Sequence, residues 1–319
     1  VSERDPTPVA VTSRSFSRHE VLRSELLERY ERVKFNDEGL SLRGDDLVAF
    51  LAGHPLAITA LERIDESILS RLPELKGISK VGVGIDMLDL DAMERHGVRL
   101  AWSRGTNSRS VSELALAFML ALVRHLSTVT RLVRAGEWRQ VQGRTLTGQT
   151  VGIVGFGHVG RDLAALLGAF SCRVLAYDVV PLEDLPSHVE ETSLQALLEA
   201  SEIVSLHAVL SEDTENLLDR ERMRAMREGA LLINTSRGGL VDEEALFEAL
   251  TSGHLGGAAL DVFSVEPPLD SPLLGLDQVI ATPHVGGSTA EAVLAMGRAA
   301  IAALGEVRAK LSELRGAGT

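Results

Sequence analysis

Thr150-Val-Gly-Ile-Val154-Gly155-Phe156-Gly157-His158-Val159-Gly160-Arg161 is the stretch whose reading decides the fold of this chain. Val151 to Val154 is a short apolar run that reads as a buried strand. Gly155 to Gly160 matches G-x-G-x-x-G, and Leu163, Ala164, Leu166 and Leu167 follow at helical spacing. The spacing has a physical cause: the first glycine allows a tight turn, the second lets a pyrophosphate approach the backbone, and the third lets helix pack on strand. The free N–H groups at the helix start then face the phosphates. A second apolar run, Arg173 to Tyr177, ends in Asp178, placed to accept hydrogen bonds from a ribose. A glycine-rich turn in some other parallel-sheet domain would leave Asp178 unexplained, so the stretch reads as a dinucleotide site. No Arg or Lys follows Asp178 in Val179 to Glu183, which favours a cofactor without a 2′-phosphate.

Working outward, 319 residues suit two domains, and 45% hydrophobic residues suffice for two full cores. A formal net charge of -13 argues against nucleic acid or an anionic membrane as partner and leaves room for a small anionic substrate. Cys172, the one cysteine, reads as a small buried apolar residue. It forms no intrachain disulfide, so a cytoplasmic setting is expected. Val1 to Arg18 has no signal-peptide pattern, and the longest apolar run, Leu114 to Val123, is too short to span a bilayer.

Before the glycine loop, strands are expected at 8–12, 32–35, 56–59, 77–81 and 98–101. Helices are expected at Arg14–Tyr30, Asp45–Gly53 and Glu66–Leu72. This alternation means a parallel sheet covered on both faces. Val81-Gly82-Val83-Gly84-Ile85-Asp86 ends the fourth strand, where open α/β sheets bind ligands; its bare N–H groups read as a carboxylate cradle, or as a tight turn. Ser110 to Ala135 reads as one long helix capped by Ser110 or Ser112. It is apolar almost all round between Leu114 and Val123, which calls for a subunit or domain interface, or a central core position.

After the loop, strands at 151–154, 173–178, 202–207, 230–234, 257–262 and 278–282 make a second doubly wound sheet, and a helix from about Ser288 to Leu314 closes the chain. The chain then crosses between domains twice. A discontinuous first domain, 1–103 with 286–319, would flank a nucleotide-binding domain at 104–285.

Three polar clusters follow strands of the second unit: Asn234-Thr-Ser-Arg237-Gly-Gly239, Asp261 to Glu266-Pro-Pro268, and Thr282-Pro-His284-Val-Gly-Gly-Ser-Thr289. Reduction of a 2-oxo acid needs a cation that holds the carboxylate and polarises the carbonyl, which suits the forked donors of Arg237. It needs a proton donor, which suits His284. It needs a partner that orients and tunes the imidazole, which suits Glu266. Singly, each is an ordinary loop residue; the weight lies in their joint placement after successive strands.

At these motifs, and nearly throughout, the chain resembles the D-isomer-specific 2-hydroxyacid dehydrogenases, and within them the D-3-phosphoglycerate dehydrogenases. The matching stretches include Val81 to Asp86, Asn107 to Leu114, the Gly155 loop, Ile233 to Glu243, Gly257 to Phe263, Glu266-Pro-Pro268 and Thr282 to Thr289. The resemblance implies a Rossmann NAD-binding domain beside a flavodoxin-like substrate domain, NAD as cofactor, no metal, and an Arg237–Glu266–His284 triad acting on a small 2-hydroxy or 2-oxo acid. It implies a homodimer built on the Ser110–Ala135 helix. It also implies Asp261 on the nicotinamide amide, Thr235 and Ser236 lining the cofactor, His207, Thr214 and Gly286 beside them, and the substrate carboxylate on the backbone of Val83 and Gly84, near Asn107.

Two departures stand out. His207-Ala-Val-Leu210 replaces the family's frequent His-x-Pro-Leu, which alters a local loop. The stretch after the last helix carries no regulatory domain of the kind many phosphoglycerate dehydrogenases have, so feedback through one is not expected. Lys80, just before the cradle, stands where such enzymes often place a phosphate-binding arginine, and Arg109 offers a second charge. The expectation is therefore a substrate with a second anionic group, such as 3-phosphohydroxypyruvate, ahead of glyoxylate or hydroxypyruvate. The rival class is a cofactor-sensing binding protein, since some corepressors of this family keep the triad; the absence of a long polar tail favours the enzyme.

Overall fold

Two α/β units organise the chain in a computed structural model that describes residues 4–316, with side chains up to 309. One unit comprises residues up to Asn107 together with those from Ser288 onward, and the other runs from Ser108 to Gly287. The divisions at 107/108 and 287/288 compare with 103/104 and 285/286 expected from the sequence.

The first unit holds strands β1 (Val9–Val11), β2 (Val33–Phe35), β3 (Leu56–Thr59), β4 (Gly77–Lys80) and β5 (Arg99–Ala101). All neighbours pair in parallel, in the order β2-β1-β3-β4-β5. Val9, Ala10 and Val11 are wholly buried in succession, as a strand covered on both faces requires. One face packs on Leu47, Leu51, Ile68 and Met93. The other packs on Phe16, Leu22, Ile301 and Leu304, the last two from the closing helix Ala290–Gly316. Ser79 Oγ donates to the carbonyl of Ala300, at 2.7 Å, and ties that helix to β4. The expected single helix Arg14–Tyr30 is two, Arg14–Arg18 and Glu20–Leu27. His19 between them takes an extended backbone (ψ 107°), and Arg23 donates to the freed carbonyl of Ser17 at 2.7 Å.

The second unit holds β6 (Thr150–Val154), β7 (Arg173–Tyr177), β8 (Val189–Glu191), β9 (Ile203–Leu206), β10 (Ala230–Asn234), β11 (Leu255–Leu260) and β12 (Val279–Ala281). They form one parallel sheet, β12-β11-β10-β9-β6-β7-β8. The winding reverses between β6 and β9, and the carboxyl ends of those two strands are where such sheets leave a ligand crevice. Sequence reading missed β8. It is a three-residue edge strand with two glutamates and one buried residue, Val189, too short and too charged to show a strand pattern.

The expected helix Ser110–Ala135 is also two, Ser108–Val123 and Leu126–Arg134, bent by 62°. The cause is local. The carbonyl of Val123 accepts from the N–H of Arg144 at 2.8 Å, and His125 turns left-handed (φ 49°). Gly143 lies so close that a Cβ there would stand 2.5 Å from the same carbonyl. Among the described residues, no single helix is long and apolar enough to cross a membrane.

Candidate active site

The glycine loop leaves β6 and enters the helix His158–Gly168. Gly155 takes φ +91°, and a Cβ on it would come within 2.4 Å of the backbone of Ala208, just beyond β9. A Cβ on Gly160 would strike the carbonyl of Gly155 at 2.3 Å. These two positions admit only glycine, for turn and for packing. Gly157 differs: nothing lies within 4 Å of where its Cβ would be. It is exposed at the helix N-terminus beside exposed His158 and half-buried Val159, so N–H groups face open space suited to a pyrophosphate. Buried Phe156 gives its N–H to Asp178 Oδ2 at 2.7 Å, and Val179 gives its N–H to Oδ1 at 2.8 Å. Asp178 thus stands just beyond β7 with acceptor capacity left for a ribose. Thr235 Oγ1 is buried without a hydrogen-bond partner in the protein, a polar atom that a bound dinucleotide would satisfy. The residues present fit the cofactor.

The other expected contacts on this side are more committed. Thr214 Oγ1 closes its own loop, donating to Val209 O at 2.7 Å. Ser236 Oγ donates to Ala208 O at 2.7 Å. His207 Nε2 pairs with Ser205 Oγ at 2.9 Å, and burial pushes its pKa down to about 4, so the ring is neutral across the working range.

Arg237, Glu266 and His284 come together beyond the ends of β10, β11 and β12. Asn234, the last residue of β10, shapes the first loop: its Nδ2 donates to Arg237 O at 2.8 Å and its Oδ1 accepts from Ser236 N at 3.1 Å. Gly238 then packs so tightly on Phe263 that a Cβ would sit 1.9 Å from its carbonyl carbon, which seats the Glu266 loop. Glu243 accepts from both the N–H and the hydroxyl of Ser264, at 2.7 and 2.5 Å. His284 Nδ1 meets Glu266 Oε2 at 2.9 Å.

That hydrogen bond raises the imidazole pKa; burial opposes it, the Glu266 charge reinforces it, Arg237 lowers it and Asp261 raises it. Burial pushes the Glu266 carboxyl up, but the His284 hydrogen bond and charge, the Phe263 amide and Arg237 outweigh it, and the net shift is down. A charged imidazole beside a charged carboxylate, with a guanidinium in their field, can hold an anion and give a proton.

Asp261, 1% exposed, is used by the loop itself. Its Oδ1 accepts from Val285 N at 2.8 Å and from the Thr282 hydroxyl, and its Oδ2 accepts from Gly286 N at 2.7 Å.

The expected substrate cations are placed otherwise. Lys80 is 3% exposed, with its ammonium given to the carbonyls of Ala60 and Val81. A buried ammonium must be paired in this way, and Lys80 fastens the chain after β3 to the chain after β4. Arg109 makes a two-pronged bond to Asp162, at 2.9 and 2.7 Å, joined by Ser112. It binds the helix Ser108–Val123 to the helix after the glycine loop. Both cations are thus engaged with acceptors of the protein itself. Val83 and Gly84 follow β4 as expected, after Gly82 at φ +105°; among the described residues no backbone acceptor takes their N–H groups. Asn107 Oδ1 is buried without a partner.

Sequence reasoning missed Glu243 and the true place of Ser110. The first is one acid among several after a strand. Ser110 was readable only as a helix cap, yet it is the third residue of its helix and bonds a glycine 176 positions away.

Residues 116–286 match the family model described as D-isomer specific 2-hydroxyacid dehydrogenase, NAD binding domain. The chain is 37% identical to a hydroxypyruvate reductase of Thermotoga maritima, over 84% of this chain and 89% of that one. It is 42% identical to an (S)-sulfolactate dehydrogenase of Chromohalobacter salexigens, over 83% and 88%. A D-3-phosphoglycerate dehydrogenase of Mycobacterium leprae is 39% identical over 78% of this chain, but the match spans 49% of that relative's length. Among solved structures, a D-lactate dehydrogenase of Aquifex aeolicus complexed with NAD and lactic acid is 28% identical, with a TM-score of 0.83 over 97% of this chain and 98% of that one.

Proposed function

The chain belongs to the D-isomer specific 2-hydroxyacid dehydrogenases and is an NAD-dependent oxidoreductase, and from that premise we propose that its substrate is a small 2-oxo acid with one anionic group, of the hydroxypyruvate and glyoxylate class. The observation that carries this reading is the burial of Lys80 with its ammonium on Ala60 and Val81. With Arg109 held by Asp162, the two cations that a phosphate would need are spent on the protein.

The Gly155 loop and Asp178 would hold the dinucleotide, whose reduced nicotinamide would supply the hydride. Arg237 draws the substrate carboxylate and carbonyl oxygen into its fork and stabilises the negative charge that grows on that oxygen. His284, held through Nδ1 by Glu266, gives the proton of its other ring nitrogen to the same oxygen. Glu266 keeps the imidazole charged before transfer.

A panel tests the substrate. Hydroxypyruvate or glyoxylate should be reduced with a kcat/KM at least about tenfold above that of 3-phosphohydroxypyruvate, the equivalent of one unmade charged hydrogen bond. Lys80→Met should weaken all three acids alike. A wild-type preference for the phosphorylated acid, lost selectively in Lys80→Met, would refute the proposal. The 42% identity to a sulfolactate dehydrogenase favours one second reading, a sulfonated acid, and a preference for sulfolactate in the oxidative direction would establish it.

The pH dependence follows from the shift at His284. The imidazole is the donor when charged, so reduction holds below its raised pKa and falls as pH rises through it. Glu266→Gln removes the leading cause of the raised value. The upper limb of the kcat profile should therefore move to lower pH; an unmoved limb would separate Glu266 from the proton donor.

We further propose that two copies associate through the bent helix pair. Leu126, Val133 and Trp138 are exposed there, Trp138 at 90%, and Arg131 and Arg134 lie among them in a chain of net charge -13. Wild-type protein should sediment as a dimer at micromolar concentration and Trp138→Glu should shift toward monomer; a monomeric wild type would overturn this.

A further inference from the structure

His284 has a backbone that a side-chain-bearing residue rarely adopts, φ 55°. Such a conformation persists when its surroundings over-determine it. The surroundings are here in the same unit. The N–H of His284 goes to the backbone carbonyls of Asp261 and Thr282, at 2.9 and 3.0 Å. The next two N–H groups, Val285 and Gly286, go to the Asp261 carboxylate. From the opposite side, the hydroxyl of Ser110, 7% exposed, donates to the carbonyl of Gly286 at 2.5 Å. Gly286 is pressed between the two: a Cβ on it would stand 3.1 Å from Asp261 Oδ2 and 3.4 Å from Val111, the neighbour of Ser110. Gly286, two residues past the imidazole, is thus gripped at its N–H by Asp261, just beyond β11, and at its carbonyl by the helix Ser108–Val123.

We propose that Ser110 is a positioning residue for His284, acting through Gly286 to hold the imidazole against Glu266. The proposal rests on the reading of His284 as proton donor, but its geometry does not. Without the hydroxyl, the Gly286 carbonyl is left buried and unpaired, and the segment is fixed from one side only. The backbone of His284 then relaxes toward an ordinary conformation, and its ring withdraws from Glu266. The charged groups facing the ring are Glu266, Arg237 and Asp261. Distance from Glu266 is what changes, so the imidazole loses its proton at lower pH.

The test is Ser110→Ala, with Ser110→Thr as the variant that keeps the hydroxyl. In Ser110→Ala, kcat should fall about fivefold to tenfold, the weight of one hydrogen bond, with NADH affinity unchanged. The upper limb of the kcat profile should move to lower pH, and Ser110→Thr should restore both. The titration of the His284 imidazole followed by NMR, without substrate, should show the same downward shift. That readout keeps the proposal testable if none of the acids is turned over, an outcome that would count against the functional reading alone. If Ser110→Ala does not fold, Ser110→Cys replaces it; a thiol is a weaker donor, and an intermediate shift is expected. An unmoved imidazole titration in the folded Ala or Cys variant overturns the proposal. So does a loss of thermal stability and NADH binding with no change in titration, which would make Ser110 a structural residue only.

Discussion

His284→Asn should lower kcat for reduction by about 10²–10⁴, the usual weight of a positioned proton donor, while leaving NADH binding intact. Asparagine is the informative replacement because it tolerates the left-handed backbone that His284 adopts, so the loop survives the change. His284→Ala removes the same donor and adds strain at the same φ, so it should lose at least as much rate. The separation of effects follows from the layout. The cofactor loop is fixed by Gly155, Gly160 and Asp178, and none of their contacts passes through His284. Near-normal turnover in either variant would remove the imidazole from the reaction, whatever its distance from Glu266.

Arg237→Ala should cost about 10²–10³ in kcat/KM, the scale of losing a donor aimed at a developing oxyanion. Both kcat and KM should change, because the same guanidinium is asked to hold the carboxylate before reaction and the oxygen during it. Arg237→Lys should recover only part, since an ammonium supplies charge without the planar fork. The comparison is sharpened by the backbone around it. Asn234 fixes the carbonyl of Arg237, and Gly238 locks the next residue against Phe263, so either substitution leaves the loop in place. A variant that raised KM alone would mean that Arg237 only binds.

Much of this was legible in the residues because the decisive features are local. The turn at Gly155, the acid at Asp178 and the strand–helix alternation depend on neighbours in sequence, and the parallel order of both sheets follows from that alternation. The meeting of Arg237, Glu266 and His284 was legible for a related reason: each follows a strand, and successive parallel strands deliver their carboxyl ends to one edge. What stayed hidden depends on distant chain. The break after Val123 is made by Gly143 and Arg144 arriving from beyond the helix. Lys80 looked like a ligand because its type and position fit one; its burial depends on a carbonyl of another strand end, Ala60. Arg109 looked free until Asp162, 53 residues on, took its fork. Asp261 is held by distant chain in the same way. Its oxygens accept from the Thr282 hydroxyl and from the N–H groups of Val285 and Gly286, partners that no local pattern around Asp261 announces.

The most direct measurement is NADH oxidation followed at steady state against a panel of 2-oxo acids, with the configuration of the product determined. The account predicts turnover with hydroxypyruvate or glyoxylate as the best substrates, a D-hydroxy acid from hydroxypyruvate, and loss of that turnover in His284→Asn. Tight NADH binding with no oxidation by any acid in the panel would contradict it, and would leave a cofactor-sensing protein in place of the enzyme.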